Sequence, residues 1–164
     1  MSTLPKLDRI DLRILAQLQK RGRITNVELS QAVNLSPSPC LVRVKRLEQA
    51  GYITSYAAQL DLSKLGDTLT VFAEITLADH HFEDFSRFEN AIRQVDEIIE
   101  CHMVSGGYDY LVKFIVRGVN HYQTLMESLL ERDIGIEKYF SYIVIKTPFV
   151  KPHLPVEQLF GHNL

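Results

Sequence analysis

A chain of 164 residues, 46% hydrophobic and 23% charged, has the material for one medium domain or two small ones, and its composition excludes disorder as the default state. No apolar run approaches the roughly 20 residues needed to cross a bilayer, and Met1 to Arg9 has no apolar signal core, so a soluble cytoplasmic protein is expected. The net charge of −2 conceals an asymmetry: residues 1–66 hold ten Lys and Arg against five Asp and Glu, and residues 67–164 hold eight against fifteen. A basic front and an acidic back suggest two units with different partners, with any attraction to phosphate in the front. Cys40 and Cys101 make no disulfide framework and fit no zinc motif. Both are expected to be buried small residues, and neither a metal nor a cofactor is expected.

Asp8, with Asp11 three residues on, predicts a helix start, because carboxylates there accept free backbone N–H groups and match the helix dipole. Ile10, Ile14, Leu15 and Leu18 then recur at helical spacing, and Gly22 ends the segment. Thr25 and Glu28 form a capping-box pattern opening a short second helix with Leu29, Ala32 and Val33 as its apolar stripe. Asn34 tolerates the left-handed conformation that a tight turn needs. Ser36 is placed as the N-cap of a third helix, with Pro37 at its first position and Gly51 as its stop. Three helices with a short turn between the last two predict a helix-turn-helix.

On a helical wheel Cys40, Val44 and Leu47 form one stripe of the third helix. Ser38, Leu41, Val42, Lys45 and Arg46 lie opposite, with Pro39 and Arg43 on the flank. A plain surface helix would carry polar residues where Leu41 and Val42 point outward. A helix in the major groove wants this mixture, since its first turns meet base edges and thymine methyls while Lys or Arg holds phosphate or reads guanine. Ser36, Ser38, Pro39, Leu41, Val42, Arg43, Lys45 and Arg46 are therefore the candidate contacts to double-stranded DNA. The competing reading is a charged face packed on a neighbour. Beyond Gly51, Tyr52 to Leu60 is rich in strand formers and is expected to be a wing, or a linker strand pairing with its copy in a dimer. Asp61 to Gly66 reads as a connection.

In the back half Leu69, Val71, Ala73, Ile75 and Leu77 alternate with Thr70, Phe72, Glu74 and Thr76 as a strand does. Phe82, Phe85, Phe88, Ile92 and Val95 mark a helix face. Ile98 to Val104 and Tyr110 to Arg117 read as strands around the turn Ser105-Gly106-Gly107. Tyr122, Leu125, Met126, Leu129 and Leu130 mark a second helix, and Tyr139 to Ile145 a last strand. The order βαββαβ predicts a ferredoxin-like fold with helices on one sheet face. Phe72 falls on the other face, and a sheet-to-sheet homodimer is the economical way to cover it. His102, Ser105 and Asp109 hold the letters of a catalytic triad without its spacing, and Gly106-Gly107 lacks the features of a phosphate loop, so no enzyme is expected. The expected divisions are a helix-turn-helix domain at 1–51, a linker strand at 52–66, a ferredoxin-like domain at 67–148 and a tail at 149–164.

From Leu7 to about Pro155 the chain resembles the Lrp/AsnC family of bacterial and archaeal feast-or-famine regulators. Leu7-Asp8-Arg9-Ile10-Asp11, Arg23 to Ser30, Leu35 to Cys40 and Arg46-Leu47-Glu48 are similar to the family's first hallmark, and Ser105 to Leu111 to its second. The resemblance implies an α+β protein with an N-terminal winged helix-turn-helix and a C-terminal ferredoxin-like, RAM-type domain that senses an amino acid. It implies dimers that assemble further, often to octamers, and an effector held between dimers by Met103, Ser105, Gly106, Gly107, Tyr108 and Asp109, with Ser141 as a weaker candidate. Glycines let backbone N–H groups approach a carboxylate, and Asp109 could pair with an ammonium group. A hairpin turn with a structural Asp is the other reading. Gly107 stands where many members carry an acidic or polar residue. Two rivals share this layout: an enzyme similar to haem-precursor decarboxylases, against which the acidic back half argues, and an architectural protein that compacts DNA without an effector.

Overall fold

The computed structural model describes residues 5–163. Asp8 caps helix α1 (Arg9–Lys20): its carboxylate accepts from the N–H groups of Ile10 and Asp11, and Asp11 accepts in return from the Asp8 N–H. Thr25 and Glu28 form the expected reciprocal cap on α2 (Asn26–Ala32). Asn34 adopts φ 57°, the left-handed turn, and α3 runs over Pro37–Gln49. Ser36 occupies the N-cap position of α3, but its side chain makes no capping bond. Pro37 takes N1, where its missing N–H costs nothing. Ile14, Leu29, Val33, Cys40 and Leu47 form the buried core of this three-helix unit. Ala32, expected in the stripe, is exposed.

No strand forms over Tyr52–Leu60. Tyr52 and Ile53 instead pack on the three-helix core, their N–H groups bonded to the Leu47 carbonyl. A strand needs a partner for its ladder, and this segment finds none among the described residues of one chain. The C-terminal segment from Phe149 onward, expected as a tail, belongs with the first compact unit. It forms α6 (Val156–Phe160), Leu154 N–H donates to Gln19 Oε1 at 2.9 Å, and Glu157 lies 4.0 Å from Arg13.

The second unit spans Leu60–Pro148. After a single 3-10 turn at Leu62–Lys64 come β1 (Leu69–Leu77), α4 (Phe82–Ile92), β2 (Ile98–Met103), β3 (Tyr110–Val116), α5 (Val119–Glu131) and β4 (Ile136–Ile143). The strands form one antiparallel sheet in the order β2-β3-β1-β4, the expected ferredoxin-like arrangement. Alternate residues of β1 and β3 bury against Phe88, Ile92, Tyr122, Met126 and Leu129 of α4 and α5. Phe82, read as part of the buried stripe, is 84% exposed; the stripe begins one turn later, at Phe85. Cys40 is buried as expected, whereas Cys101 is exposed because it lies on the edge strand β2. The opposite sheet face carries Phe72, with Lys113 and Tyr142 beside it in register, and Phe140 paired to Glu74. Among the described residues no helix is long and apolar enough to cross a membrane.

The caps make the first unit acid-sensitive. Desolvation pulls the Asp8 pKa up, but the Asp11 N–H, the Arg43 guanidinium and the Ile10 N–H outweigh it and hold the carboxyl below its ordinary 3.8. The Thr25 N–H and hydroxyl and Arg21 hold Glu28 below its ordinary 4.5. A depressed folded-state pKa contributes stability that is complete above the unfolded value and is lost as pH falls through the folded one. Helix melting followed by circular dichroism should therefore be insensitive to these two groups above about pH 4.5, and should fall below it. Asp8→Asn should flatten that acid limb; an unchanged limb would contradict the assignment.

Candidate functional site

Along α3 the structure separates two faces. Cys40 and Leu47 are buried, while Ser36, Ser38, Pro39, Leu41 and Val42 are exposed, Leu41 at 43% and Val42 at 65%. The outward apolar pair is thus where the helical wheel puts it. Lys45 is exposed on the same face and makes no ion pair among the described residues.

Arg43 and Arg46 behave differently from the reading that makes them free contacts. Arg43 Nη1 donates to Asp8 Oδ2 at 2.7 Å and to Asp11 Oδ1 at 2.9 Å, and Arg46 Nη2 donates to Asp11 Oδ2 at 2.6 Å. Asp11 is fully buried, and the Arg43 and Arg46 side chains are only 26% and 42% exposed. Both partners lie on the first turn of α1 or its cap, more than thirty residues away. The signal available in the sequence was an acidic helix start and a basic helix in a fold that packs the two together.

In the second unit the turn after β2 holds most of the other candidates. Ser105, Gly106 and Gly107 are exposed, Gly106 at φ 155°, with Met103 exposed and Tyr108 half-buried at its ends. Val104 N–H donates to the Asp109 carbonyl at 2.9 Å, closing the turn. The Asp109 carboxylate is engaged within the chain: Leu77 N–H donates to Oδ2 at 2.8 Å, and His80 Nε2 lies 3.0 and 3.1 Å from the two oxygens. It braces the turn onto the end of β1. His80 is the residue that sequence reasoning did not connect to this site, since nothing local ties it to a position 29 residues on.

Ser141 does not join the turn within one chain. It pairs with Ala73, four residues before Leu77 along β1, which is on the order of 13 Å. Its hydroxyl lies 2.6 Å from the Tyr122 hydroxyl on the helix-covered face. Met103 instead rims a groove of about 410 Å³ between α4 and β2, where Ile92, Ile98 and Cys101 supply apolar surface and Glu89 and Arg93 charge. Desolvation and the nearby Glu89 push the Cys101 thiol up to about 11, so it stays protonated and a poor nucleophile. Glu89 also accepts from the Tyr110 hydroxyl at 2.8 Å.

Residues 7–54 match the description "Winged helix-turn-helix DNA-binding", and residues 70–154 match "Lrp/AsnC ligand binding domain". A helix-turn-helix unit followed by such a domain defines a DNA-binding transcriptional regulator. The chain is 49% identical over 142 residues to the transcriptional regulatory protein DoeX of Halomonas elongata, covering 87% of this chain and 90% of that one. It is 47% identical over 140 residues to the leucine-responsive regulatory protein of Escherichia coli K12, covering 85% of each. Its fold is similar to a transcriptional regulator of Neisseria meningitidis solved in complex with L-Met: TM-score 0.87, 34% identity, covering 94% of this chain and all of the other. An AsnC family transcriptional regulator from Agrobacterium tumefaciens superposes with TM-score 0.87 at 28% identity, again over 94% of this chain and all of the other. The chain belongs to the Lrp/AsnC family of transcriptional regulators.

Proposed function

We propose that this regulator reads double-stranded DNA with the outward face of α3, through Ser36, Ser38, Pro39, Leu41, Val42 and Lys45, and that an amino acid or a related small metabolite controls it from the turn after β2. The observation that carries the DNA reading is the exposed pair Leu41 and Val42 beside an unpaired Lys45. Apolar side chains at the start of a groove-entering helix meet thymine methyls, and a free ammonium meets phosphate. The effector reading rests on the exposed residues Ser105, Gly106 and Gly107, where small side chains let a carboxylate approach the backbone, flanked by Met103 and Tyr108. Asp109 serves as the brace of that turn, since its oxygens are already taken by Leu77 and His80. The protein works as a homodimer in the cytoplasm, its copies joined across the sheet face of Phe72, Phe140 and Tyr142, with octamers as the further assembly. Effector then acts by linkage: the assembly it favours sets which pairs of half-sites can be held at once.

A thermal-shift screen with the twenty common amino acids tests the effector. A ligand at a hundred times its Kd adds about 2.7 kcal/mol of stability. For a chain of this size that is roughly 5–10 °C in Tm. The same ligand should change the retention of a promoter fragment. If no amino acid moves either the melting or the retention, the amino-acid reading fails and the effector-independent architectural one is favoured.

A further inference from the structure

Three cations lie along α3, but the chain treats them unequally. Lys45 stands in solvent, while Arg43 and Arg46 close on the carboxylates of Asp8 and Asp11 at 2.6–2.9 Å. Two guanidiniums against two carboxylates leave this cluster with no net charge. The geometry adds a restraint. Asp11 is fully buried, accepts from both arginines and from the Asp8 N–H, and has no water-facing side. If Arg46 swung out to a phosphate, it would strip a buried carboxylate of its shortest hydrogen bond, and stripping a buried charge of its partner is among the costlier changes in a protein. The Arg46 Nε is buried and makes no hydrogen bond among the described residues, so the guanidinium is held through its Nη2 bond to Asp11.

We infer that Asp11, with Asp8 as the second partner of Arg43, is a positioning residue that withholds Arg43 and Arg46 from the DNA backbone, so that α3 meets phosphate through Lys45 alone. This rests on α3 being the DNA-reading helix. The consequence is for discrimination. Each phosphate neutralised by a side chain strengthens binding to every sequence alike, whereas the Leu41 and Val42 face discriminates among sequences. Tying up two arginines lowers the sequence-blind part and leaves the sequence-reading part in place.

The test is the salt dependence of binding to a mixed-sequence duplex of about 40 base pairs, followed by fluorescence anisotropy on the full chain. Per bound chain, each phosphate no longer neutralised lowers the slope of log K against log salt by about 0.9, and every change is counted per chain, half of what a homodimer with both α3 helices bound shows. Lys45→Ala should lower it by that amount, and Arg43→Ala and Arg46→Ala by less than half as much. Asp11→Asn, which keeps the side-chain shape and removes the charge, should steepen the slope by about 0.9, as Arg46 loses its carboxylate partner while Arg43 keeps Asp8. Adding Arg46→Ala to Asp11→Asn should then return that amount. A merely structural Asp11 would lower the melting temperature without steepening the slope. If Arg46→Ala in the natural chain costs as much slope as Lys45→Ala, the inference is overturned while the DNA-reading role of α3 stands. If Lys45→Ala leaves the slope unchanged, the role of α3 fails and the inference with it. Should Asp11→Asn not fold, the three single substitutions in the natural chain still decide between these outcomes.

Discussion

Phe88→Ala is expected to cost the second unit about 3–5 kcal/mol. Phe88 is fully buried, and its ring lies 4.6 Å from that of Tyr110, centroid to centroid, at a 38° tilt. Tyr110 is itself buried on β3 and donates its hydroxyl to Glu89, the residue after Phe88 on α4. Removing the ring therefore opens a cavity and loosens the packing that holds the helix to the sheet. The neighbours cannot collapse into the space, because the strand side is fixed by ladder bonds on both edges of β3. Differential scanning calorimetry should show the transition of this unit moved down by tens of degrees or abolished, and the transition of the helix-turn-helix unit retained, since that unit has a core of its own. Phe88→Leu should cost much less. A Phe88→Ala loss below about 1 kcal/mol would mean that the packing described for this sheet is wrong.

Leu47→Ala should act on the other unit by about 2–5 kcal/mol. Leu47 is fully buried on the face of α3 opposite Val42, and its carbonyl accepts from both Tyr52 and Ile53. Its side chain ties the reading helix to α1 and α2. A unit this small has only a few kcal/mol of stability in total, so DNA retention at 37 °C should disappear. Retention should return on cooling or with Leu47→Met, because the reading face is untouched. Lys45→Ala should do the reverse: unchanged melting, with weaker binding at every temperature. Retention that survives Leu47→Ala at 37 °C would show that the three-helix core does not present α3.

Much of this architecture is legible in the sequence. The helix start at Asp8, the reciprocal cap at Thr25, the left-handed Asn34 and the stop at Gly51 each depend on groups two to four residues apart, and all are present. The outward position of Leu41 and Val42 follows from helical periodicity alone. The period-two alternation of β1 likewise places Val71, Ala73 and Ile75 inside and Phe72 on the open face. Ser36 shows the limit of even local rules, for it stands at the N-cap and makes no capping bond. Periodicity also overruns the ends of buried stripes, at Ala32 and Phe82, because it records direction around a helix and not whether anything lies there to pack against.

What the sequence determined by itself, then, is the order of elements, the inward face of each, and a helix whose outward face suits a groove. Those features arise from interactions within a turn of helix or between alternate residues of a strand. Tertiary structure alone decided that two of the three cations on that helix are already paired, with Asp8 and Asp11 across the unit. It also decided that Asp109 is a brace held by Leu77 and His80, that Ser141 lies away from the turn, that Cys101 is at an edge, and that the C-terminal segment packs with the first unit. Each depends on groups dozens of residues apart, whose meeting is set by how whole elements pack.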